Sequence, residues 1–212
     1  MNPTTNLRSW NMSRTAELQT FFDVVRRSFK TSVTDAPVHR LADRIFNRLE
    51  RSAATRFPLP KQLPVCEHLA PALHHARRQG GIAAALADAL EGIASQLVWA
   101  RRAASPEDDS TFQMNHANAV VVGQDGIEIR DDLWIGITLL APETRYPDHR
   151  HPPEEIYSVL SAGEWKQNEG PWHSPGVGGV VHNPPNILHA MRSTTTPLLA
   201  IWCLWTGEPE TQ

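Results

Sequence analysis

The C-terminal half of the chain is a series of short runs rich in Val, Ile, Leu and Trp, and this pattern limits the possible folds more than any other feature. From about residue 116 onward, Gly, Pro, Asn and Asp separate the runs, as is typical of turns between strands. No helical segment alternates with the runs, which disfavours a parallel α/β sheet. Closely spaced short strands instead predict an all-β sandwich or barrel. The predicted strands are 117–123, 127–130, 133–142, 155–161, 163–167, 178–183 and 197–207.

The N-terminal half has a different pattern, with the period of helices between residues 14 and 105. Asp35 is the predicted N-cap of the second helix, and the apolar segment 82–103 predicts one long helix after a Gly-Gly pair. The first two helices place apolar residues on one face: Leu18, Phe21, Phe22, Val25 and Phe29, then Leu41, Ile45 and Leu49. The fold class expected is therefore mainly β with an α-helical N-terminal extension, divided into an extension at 1–110 and a β-barrel domain at 111–212.

Charge and hydropathy exclude several classes of partner. The chain has 20 Lys and Arg residues against 23 Asp and Glu residues, a formal net charge of −3. Without a broad positive surface, no general nucleic-acid binding is expected. No run of eighteen apolar residues is present and the first thirteen residues lack the apolar core of a secretory signal, so we expect no membrane partner and a cytoplasmic location. Cys66 and Cys203 are isolated in sequence and are expected to be free thiols.

The densest group of chemically active residues lies in the segment HRHPPEEIY, residues 149–157. His149 and His151 are two residues apart, so their side chains leave the same face of an extended segment. Glu155 and Tyr157 have the same spacing on the strand that follows. The two prolines between these pairs force an extended bend, which suits the rim of a barrel. Two imidazoles, a carboxylate and a phenol are thus able to converge from one short segment.

These residue types predict a metal site. Two imidazoles and a carboxylate suit one divalent transition metal, Fe²⁺, Zn²⁺, Mn²⁺, Co²⁺ or Ni²⁺, and leave positions open for a substrate. A further ligand has to come from farther along the chain. The best candidate is His189, because it follows a Pro-containing turn in NPPNILHAM at the start of another strand, and His173 and His182 are alternatives. The predicted metal ligands are His149, His151, Glu155 and His189.

Residues 136–193 resemble the cupin barrel, whose two motifs carry histidine and glutamate ligands. The first motif is matched by His149, His151, Glu155 and Gly163, with one extra residue before the glycine. The second motif is matched by Gly178, Pro184 and His189. The pattern is broken at Glu143, Asn186 and Ser193, which occupy turn positions rather than ligand positions. The resemblance implies a cupin β-barrel, the double-stranded β-helix or jelly roll.

A narrower resemblance is strongest over about residues 146–191. In the segments YPDHRHPPEEIYSVLSAGEW and HNPPNILHAM, together with a helical half before the barrel, the chain is similar to cupin-type dimethylsulfoniopropionate (DMSP) lyases. These carbon–sulfur lyases cleave DMSP into dimethyl sulfide and acrylate. Members of the family hold a divalent metal with residues that match the four predicted ligands. They also have a tyrosine at the metal that matches Tyr157, and a second pocket tyrosine that matches Tyr146.

The reaction implied by this resemblance is a β-elimination, in which a base removes a weakly acidic proton beside the substrate carboxylate while the sulfonium leaves. A cation at the carboxylate stabilises the developing negative charge and acidifies a neighbouring phenol, so Tyr157 is the predicted general base. Trp202 is a predicted substrate-binding residue, since aromatic faces attract a sulfonium cation, and Tyr146 is the other, because it matches the second pocket tyrosine of the family. Trp202 and Trp205 are three residues apart and cannot both face inward on a regular strand. Further aromatic faces in this half are Trp134, Trp165 and Trp172.

Two other functions are compatible with the same residues. An Fe²⁺-dependent cupin dioxygenase uses such a ligand set to bind oxygen, and oxygen uptake separates it from a redox-neutral lyase. A non-catalytic cupin that binds a small ligand keeps its affinity in a Tyr157→Phe variant, whereas a lyase loses most of its turnover. The expected partner is a small molecule, DMSP under the lyase hypothesis. The helical half is expected to cap the barrel, to cover the site as a lid, or to form a homodimer interface.

Overall fold

The computed structural model describes residues 13–31, 36–105 and 108–207. The predicted cap Asp35 lies outside these residues. Among the described residues, no helix is both long enough and apolar enough to cross a membrane. The α-helices are α1 (Ala16–Thr31), α2 (Ala36–Arg48), α3 (Leu69–Gln79), α4 (Gly81–Ile93) and the short α5 (Ser110–Asn115), with 3₁₀ turns at Pro64–His68 and Ala94–Gln96.

The strands form two antiparallel sheets. The larger sheet has the order β1-β2-β3-β9-β5-β7, and the smaller sheet has the order β4-β8-β6. The strands are β1 (Trp99–Ala100), β2 (His116–Val122), β3 (Leu133–Leu140), β4 (Arg145–His149), β5 (Glu154–Val159), β6 (Glu164–Gln167), β7 (Val180–Asn183), β8 (His189–Arg192) and β9 (Leu198–Trp205).

Helices α1 to α4 cover the outer face of the larger sheet. The predicted apolar stripes of α1 and α2 are buried, with Phe21, Val25 and Ile45 fully inaccessible, and they join one core with that outer face. The buried hydroxyl of Ser158 on β5 donates a hydrogen bond of 3.0 Å to Ser28 of α1. Burial of this continuous apolar surface holds the helical half against the β half.

The inner face of the larger sheet packs on the smaller sheet in a second core. Along β9, Leu198, Ala200 and Trp202 belong to this inner core, whereas Trp205 packs with the helices on the outer side. The expectation that Trp202 and Trp205 face opposite sides is therefore confirmed. The inner core is the region in which the polar site residues lie, because both sheets direct alternate side chains into it.

Three parts of the predicted secondary structure are wrong. The long helix expected over 82–103 ends at Ile93, and Trp99 instead pairs with Ala119 in the larger sheet, so pairing with β2 overrides the local helical pattern. Residues 127–130 do not form a strand: Glu128 alone among them makes isolated bridges, and its buried carboxylate is bound by Arg14 and Arg130. Helix α5 was not expected. It is capped by the side chain of Asp109, which accepts a hydrogen bond from the backbone of Phe112.

Candidate metal centre

Three histidines converge where the two sheets meet. His149 at the end of β4 pairs directly with His189 at the start of β8, and their ring centroids are 4.1 Å apart. The ring of His151, in the loop after β4, lies 5.1 Å from that of His189. One ring nitrogen from each of these three residues lies within 4.8 Å of the others. We call His149, His151 and His189 the histidine cluster.

Backbone carbonyls fix the orientation of each ring in the histidine cluster. The Nδ1 atoms of His149 and His151 lie 2.9 Å from the carbonyl oxygens of Pro147 and Pro153. The Nδ1 atom of His189 lies 3.0 Å from the carbonyl oxygen of Ile187. Because a carbonyl only accepts, each Nδ1 carries a proton, and in the neutral form of each ring the Nε2 lone pair is available to a metal. Neutral rings held in this way are the usual form of histidine metal ligands.

The carboxylate of Glu155 completes the group. Its Oε2 atom lies 3.4 Å from Nε2 of His151 and 3.3 Å from Nε2 of His189. Glu155 is on β5 of the larger sheet, so the two sheets supply ligand atoms from opposite sides. Its side chain is almost completely buried, and a buried carboxylate needs compensating partners.

A divalent transition metal fits these residues. Nε2 of His189 is buried and has no hydrogen-bond partner among the described residues, which is the condition expected of an atom reserved for a ligand. Three imidazole nitrogens and one carboxylate oxygen are the donor set that suits Fe²⁺, Zn²⁺, Mn²⁺, Co²⁺ or Ni²⁺. The arrangement is compatible with one ion.

Without a cation, the ionisable groups of the cluster differ in pKa. Burial, and then the neighbouring His189, lower the pKa of His149 to about 4. Burial also acts to lower the pKa of His151, but its hydrogen bond to Glu155 and the charge of that carboxylate outweigh burial and raise it. Burial acts to raise the pKa of Glu155, yet the adjacent His151 and His189 hold it well below its ordinary value. At neutral pH the carboxylate is therefore ionised and His149 is neutral.

Tyr157 lies beside the cluster on the inner face of β5. It is two residues from Glu155, so both side chains leave the same face, and it pairs in register with Trp202 on β9. Its ring meets that of Trp165 edge to face, with centroids 6.2 Å apart. Burial, and then the charge of Glu155, raise the pKa of Tyr157 well above its ordinary value. In the metal-free protein the phenol is therefore protonated.

Tyr146 packs against the cluster at His149. Its ring centroid is 4.7 Å from that of His149, although regular alternation would place residues three apart on opposite faces. A shift in the register between β4 and β8, between these two residues, brings both side chains inward. The guanidinium of Arg102 lies 5.3 Å from the ring centroid of Tyr146. Burial raises the pKa of Tyr146 to about 12.

The predicted tryptophans occupy different environments. Trp202 is 8% exposed, and its indole lies across Gly136 on the neighbouring strand β3. Trp165 is buried, and its Nε1 has no hydrogen-bond partner among the described residues. Trp134 is 40% exposed. Trp172 lies 4.3 Å from the guanidinium of Arg192. Of these residues, Trp202 and Trp165 line the interior together with the two tyrosines.

The alternative ligands lie outside the histidine cluster. The Nε2 atom of His182 is 2.7 Å from a carboxylate oxygen of Glu154, and alternation along β7 directs this side chain away from Glu155. The backbone of His173 forms a bridge with Trp165. Among the described residues, only the histidine cluster brings three or more potential ligand atoms close enough together to hold one metal ion.

Two amide side chains next to the site were not predicted from the sequence. Asn183 donates a hydrogen bond of 2.9 Å from Nδ2 to Oε2 of Glu155. Gln167 donates a hydrogen bond of 2.7 Å from Nε2 to Oδ1 of Asn183. The available signal was strand alternation, since Asn183 is two residues from Val181 and shares its inward face.

Comparisons with known proteins agree with this geometry. The chain matches the family model of dimethylsulfoniopropionate lyases over residues 38–200. It is 27% identical over 171 residues to the putative DMSP lyase DddL of Cereibacter sphaeroides, a match that covers 81% of this chain and 71% of that protein. It is 29% identical over 129 residues to the DMSP lyase DddQ of Ruegeria pomeroyi, a match that covers 60% of this chain and 64% of that protein.

Solved structures extend the match over most of the fold. The crystal structure of DddQ from Ruegeria pomeroyi superposes with a TM-score of 0.69 at 22% identity, over 92% of this chain and 94% of that one. A chain from the crystal structures of the DMSP lyases RdDddP and RnDddQII superposes with a TM-score of 0.70 at 23% identity, over 92% and 96%. The expected fold class, a mainly β cupin-type fold with N-terminal helices, is confirmed.

Proposed function

Because the chain belongs to the dimethylsulfoniopropionate lyase family of carbon–sulfur lyases, we propose that it cleaves DMSP at one divalent metal held by the histidine cluster and Glu155. The observation that carries the metal dependence is the convergence of three imidazoles, each with Nδ1 bound to a carbonyl and Nε2 turned inward. A binding protein or a dioxygenase fits the same donor set, but membership of this family favours the lyase.

Tyr157 is the proposed general base. When bound, the metal would supply Lewis acidity, which offsets the negative charge that develops at the substrate carboxylate and lowers the pKa of the adjacent phenol. The phenolate oxygen of Tyr157 takes the proton from the carbon next to the carboxylate. The electron pair of that C–H bond forms the double bond of acrylate, and the C–S electron pair leaves with sulfur as dimethyl sulfide. Tyr157 then returns the proton to solvent, and no oxidant is needed.

The remaining interior residues bind and enclose the substrate. The face of Trp202, which pairs in register with Tyr157, offers cation–π attraction to the sulfonium. Tyr146 packs against His149 and is proposed to enclose the substrate from that side. The aromatic part of the site excludes most water, because Tyr146, Tyr157 and Trp202 are all less than a tenth exposed. Exclusion of water strengthens each of these electrostatic interactions.

A headspace assay tests this function. Purified protein supplied with each of the five candidate metals in turn should release dimethyl sulfide and acrylate from DMSP in equal amounts, without oxygen. A chelator should abolish the release, and re-addition of metal should restore it. If no metal-loaded form releases dimethyl sulfide, the proposed function is wrong. Release that is unchanged by complete metal removal would retain the lyase but overturn its metal dependence.

A further inference from the structure

We propose that two amide side chains, Asn183 and Gln167, position the Glu155 carboxylate for metal binding. We call them the amide pair. This inference rests on the proposed metal-dependent function and assigns positioning residues to it. The side-chain hydrogen bonds of the amide pair reach the Glu155 carboxylate but no histidine ring nitrogen. The pair therefore acts on the metal site through Glu155.

The amide pair connects the two sheets beside the ligands. Asn183 on β7 lies directly opposite Glu155 on β5, and its Nδ2 atom donates to Oε2 of that carboxylate at 2.9 Å. Gln167 on β6 lies directly opposite His189 on β8. Its Nε2 atom donates to Oδ1 of Asn183 at 2.7 Å and to the carbonyl oxygen of His182 at 2.6 Å. Each amide is thus placed by pairing with a strand that carries a ligand.

The direction of this hydrogen-bond chain is fixed at both ends. The carboxylate of Glu155 only accepts hydrogen bonds when ionised, and the backbone carbonyl of His182 also only accepts. Asn183 therefore has to turn its NH₂ group toward Glu155 and its oxygen toward Gln167. Gln167 in turn uses its two N–H protons on the two acceptors that it contacts. No alternative orientation of either amide satisfies all three bonds.

The amide pair acts on a single oxygen atom, Oε2 of Glu155. Oε2 of Glu155 accepts from Asn183 and is also the atom that lies 3.4 and 3.3 Å from the Nε2 atoms of His151 and His189. Asn183 is fully buried and Glu155 nearly so. Loss of the Asn183 donor would therefore leave the carboxylate without a hydrogen bond that water could readily replace, at a cost in free energy. The hydrogen bond therefore holds the carboxylate in the rotamer that directs this oxygen toward the histidine cluster. Loss of such an orienting partner typically weakens metal affinity by about 10–100-fold.

The test measures Zn²⁺ affinity by competition with a chromophoric chelator, and the visible absorption spectrum of the Co²⁺-loaded protein. Asn183→Leu keeps the volume of the side chain and removes its donor. We expect Zn²⁺ affinity to fall by about 10–100-fold and the Co²⁺ spectrum to change, since the carboxylate no longer holds its orientation. Gln167→Met leaves Asn183 in place but frees its amide to rotate, so the same change is expected with a smaller amplitude.

His182→Gln is the matched control. This substitution alters the side chain next to Asn183 but keeps the backbone carbonyl that Gln167 contacts, so affinity and spectrum should equal those of the wild type. A purely structural amide pair would lower the thermal midpoint of the metal-free variants and leave affinity and spectrum unchanged, and that result would overturn the inference. If Asn183→Leu does not fold, Gln167→Met decides the question by the same criteria.

These measurements need no DMSP, so the two proposals fail separately. Reduced metal affinity in the amide variants, together with metal-loaded wild-type protein that releases no dimethyl sulfide, would overturn the proposed function alone. Metal-dependent release of dimethyl sulfide together with unchanged affinity in both amide variants would overturn the positioning role alone.

Discussion

His149 and His189 face each other across neighbouring strands, with ring centroids 4.1 Å apart and both Nδ1 atoms bound to backbone carbonyls. The pairing joins a residue from the first histidine-rich segment to one that follows a distant Pro-containing turn. Because the backbone sets both ring orientations, the two Nε2 atoms are preorganised and do not have to be ordered by an incoming ion. Preorganised ligands reduce the entropy cost of binding.

His189 is predicted to be indispensable for metal binding. His189→Ala removes the ligand atom that is buried without a hydrogen-bond partner among the described residues, and only two imidazoles and a carboxylate remain. We expect the affinity for Zn²⁺ to fall by more than about 100-fold, beyond the effect of losing an orienting partner, and dimethyl sulfide release to fall with it. Metal content of the purified variant is the direct measurement. His173→Ala is the control, and it should keep wild-type metal content. Equal metal loss in both variants would contradict the prediction.

The convergence of His149, His151 and Glu155 could be predicted from the sequence, because the alternation of side chains along an extended segment depends only on neighbouring residues. The amide pair could not, since its position depends on the register between β5 and β7 and between β6 and β8. Single polar residues at the ends of short strands carry no distinctive local pattern. The short strand β1 was missed for a similar reason, because Trp99 is drawn out of a helical pattern by pairing with Ala119.

Tyr157→Phe is predicted to lower turnover with little effect on metal binding. The phenol oxygen is the proposed base, and loss of general base catalysis typically costs about 10²–10⁴-fold in rate. The measurement is kcat at matched metal content. Tyr146→Phe is the comparison, and it should keep most of its turnover, because Phe retains the ring that is proposed to enclose the substrate and Tyr146 is not the proposed base. Turnover of Tyr157→Phe within a few-fold of the wild type would exclude Tyr157 as the base.

The free energy of unfolding of the metal-free protein is predicted to fall at acidic pH, because the fold keeps His149 neutral. Burial lowers its pKa to about 4 in the folded state, whereas the unfolded chain takes up the proton near pH 6.5. The stability due to neutral His149 is thus present above about pH 6.5 and is lost as the pH falls toward 4, by up to about 3 kcal/mol. Glu155 starts to lose its contribution as the pH falls below its ordinary pKa of 4.5, and the loss continues toward its much lower folded pKa, so most of it lies below this range.

Denaturant unfolding of chelator-treated protein at several pH values between 4.5 and 7 measures this effect. His149→Asn should show a smaller loss of unfolding free energy across the interval, since the variant has no imidazole at this position to protonate. If the unfolding free energies of wild type and variant change equally with pH, His149 is not kept neutral by its surroundings.

Gly136 is predicted to set the position of Trp202. A Cβ atom added at Gly136 would lie 2.1 Å from the indole of Trp202, closer than any real contact, so Gly136→Ala has to displace that ring. Overpacking of this kind typically costs about 1–3 kcal/mol of stability. We also expect KM for DMSP to rise, because the displaced indole no longer faces the sulfonium beside Tyr157. Gly92→Ala is the control, since Gly92 lies in α4 and its added Cβ would make only an ordinary contact with the side chain of Glu17 at 3.8 Å. Steady-state kinetics with DMSP on the folded variants is the measurement, and an unchanged KM in Gly136→Ala would remove Trp202 from the proposed substrate site.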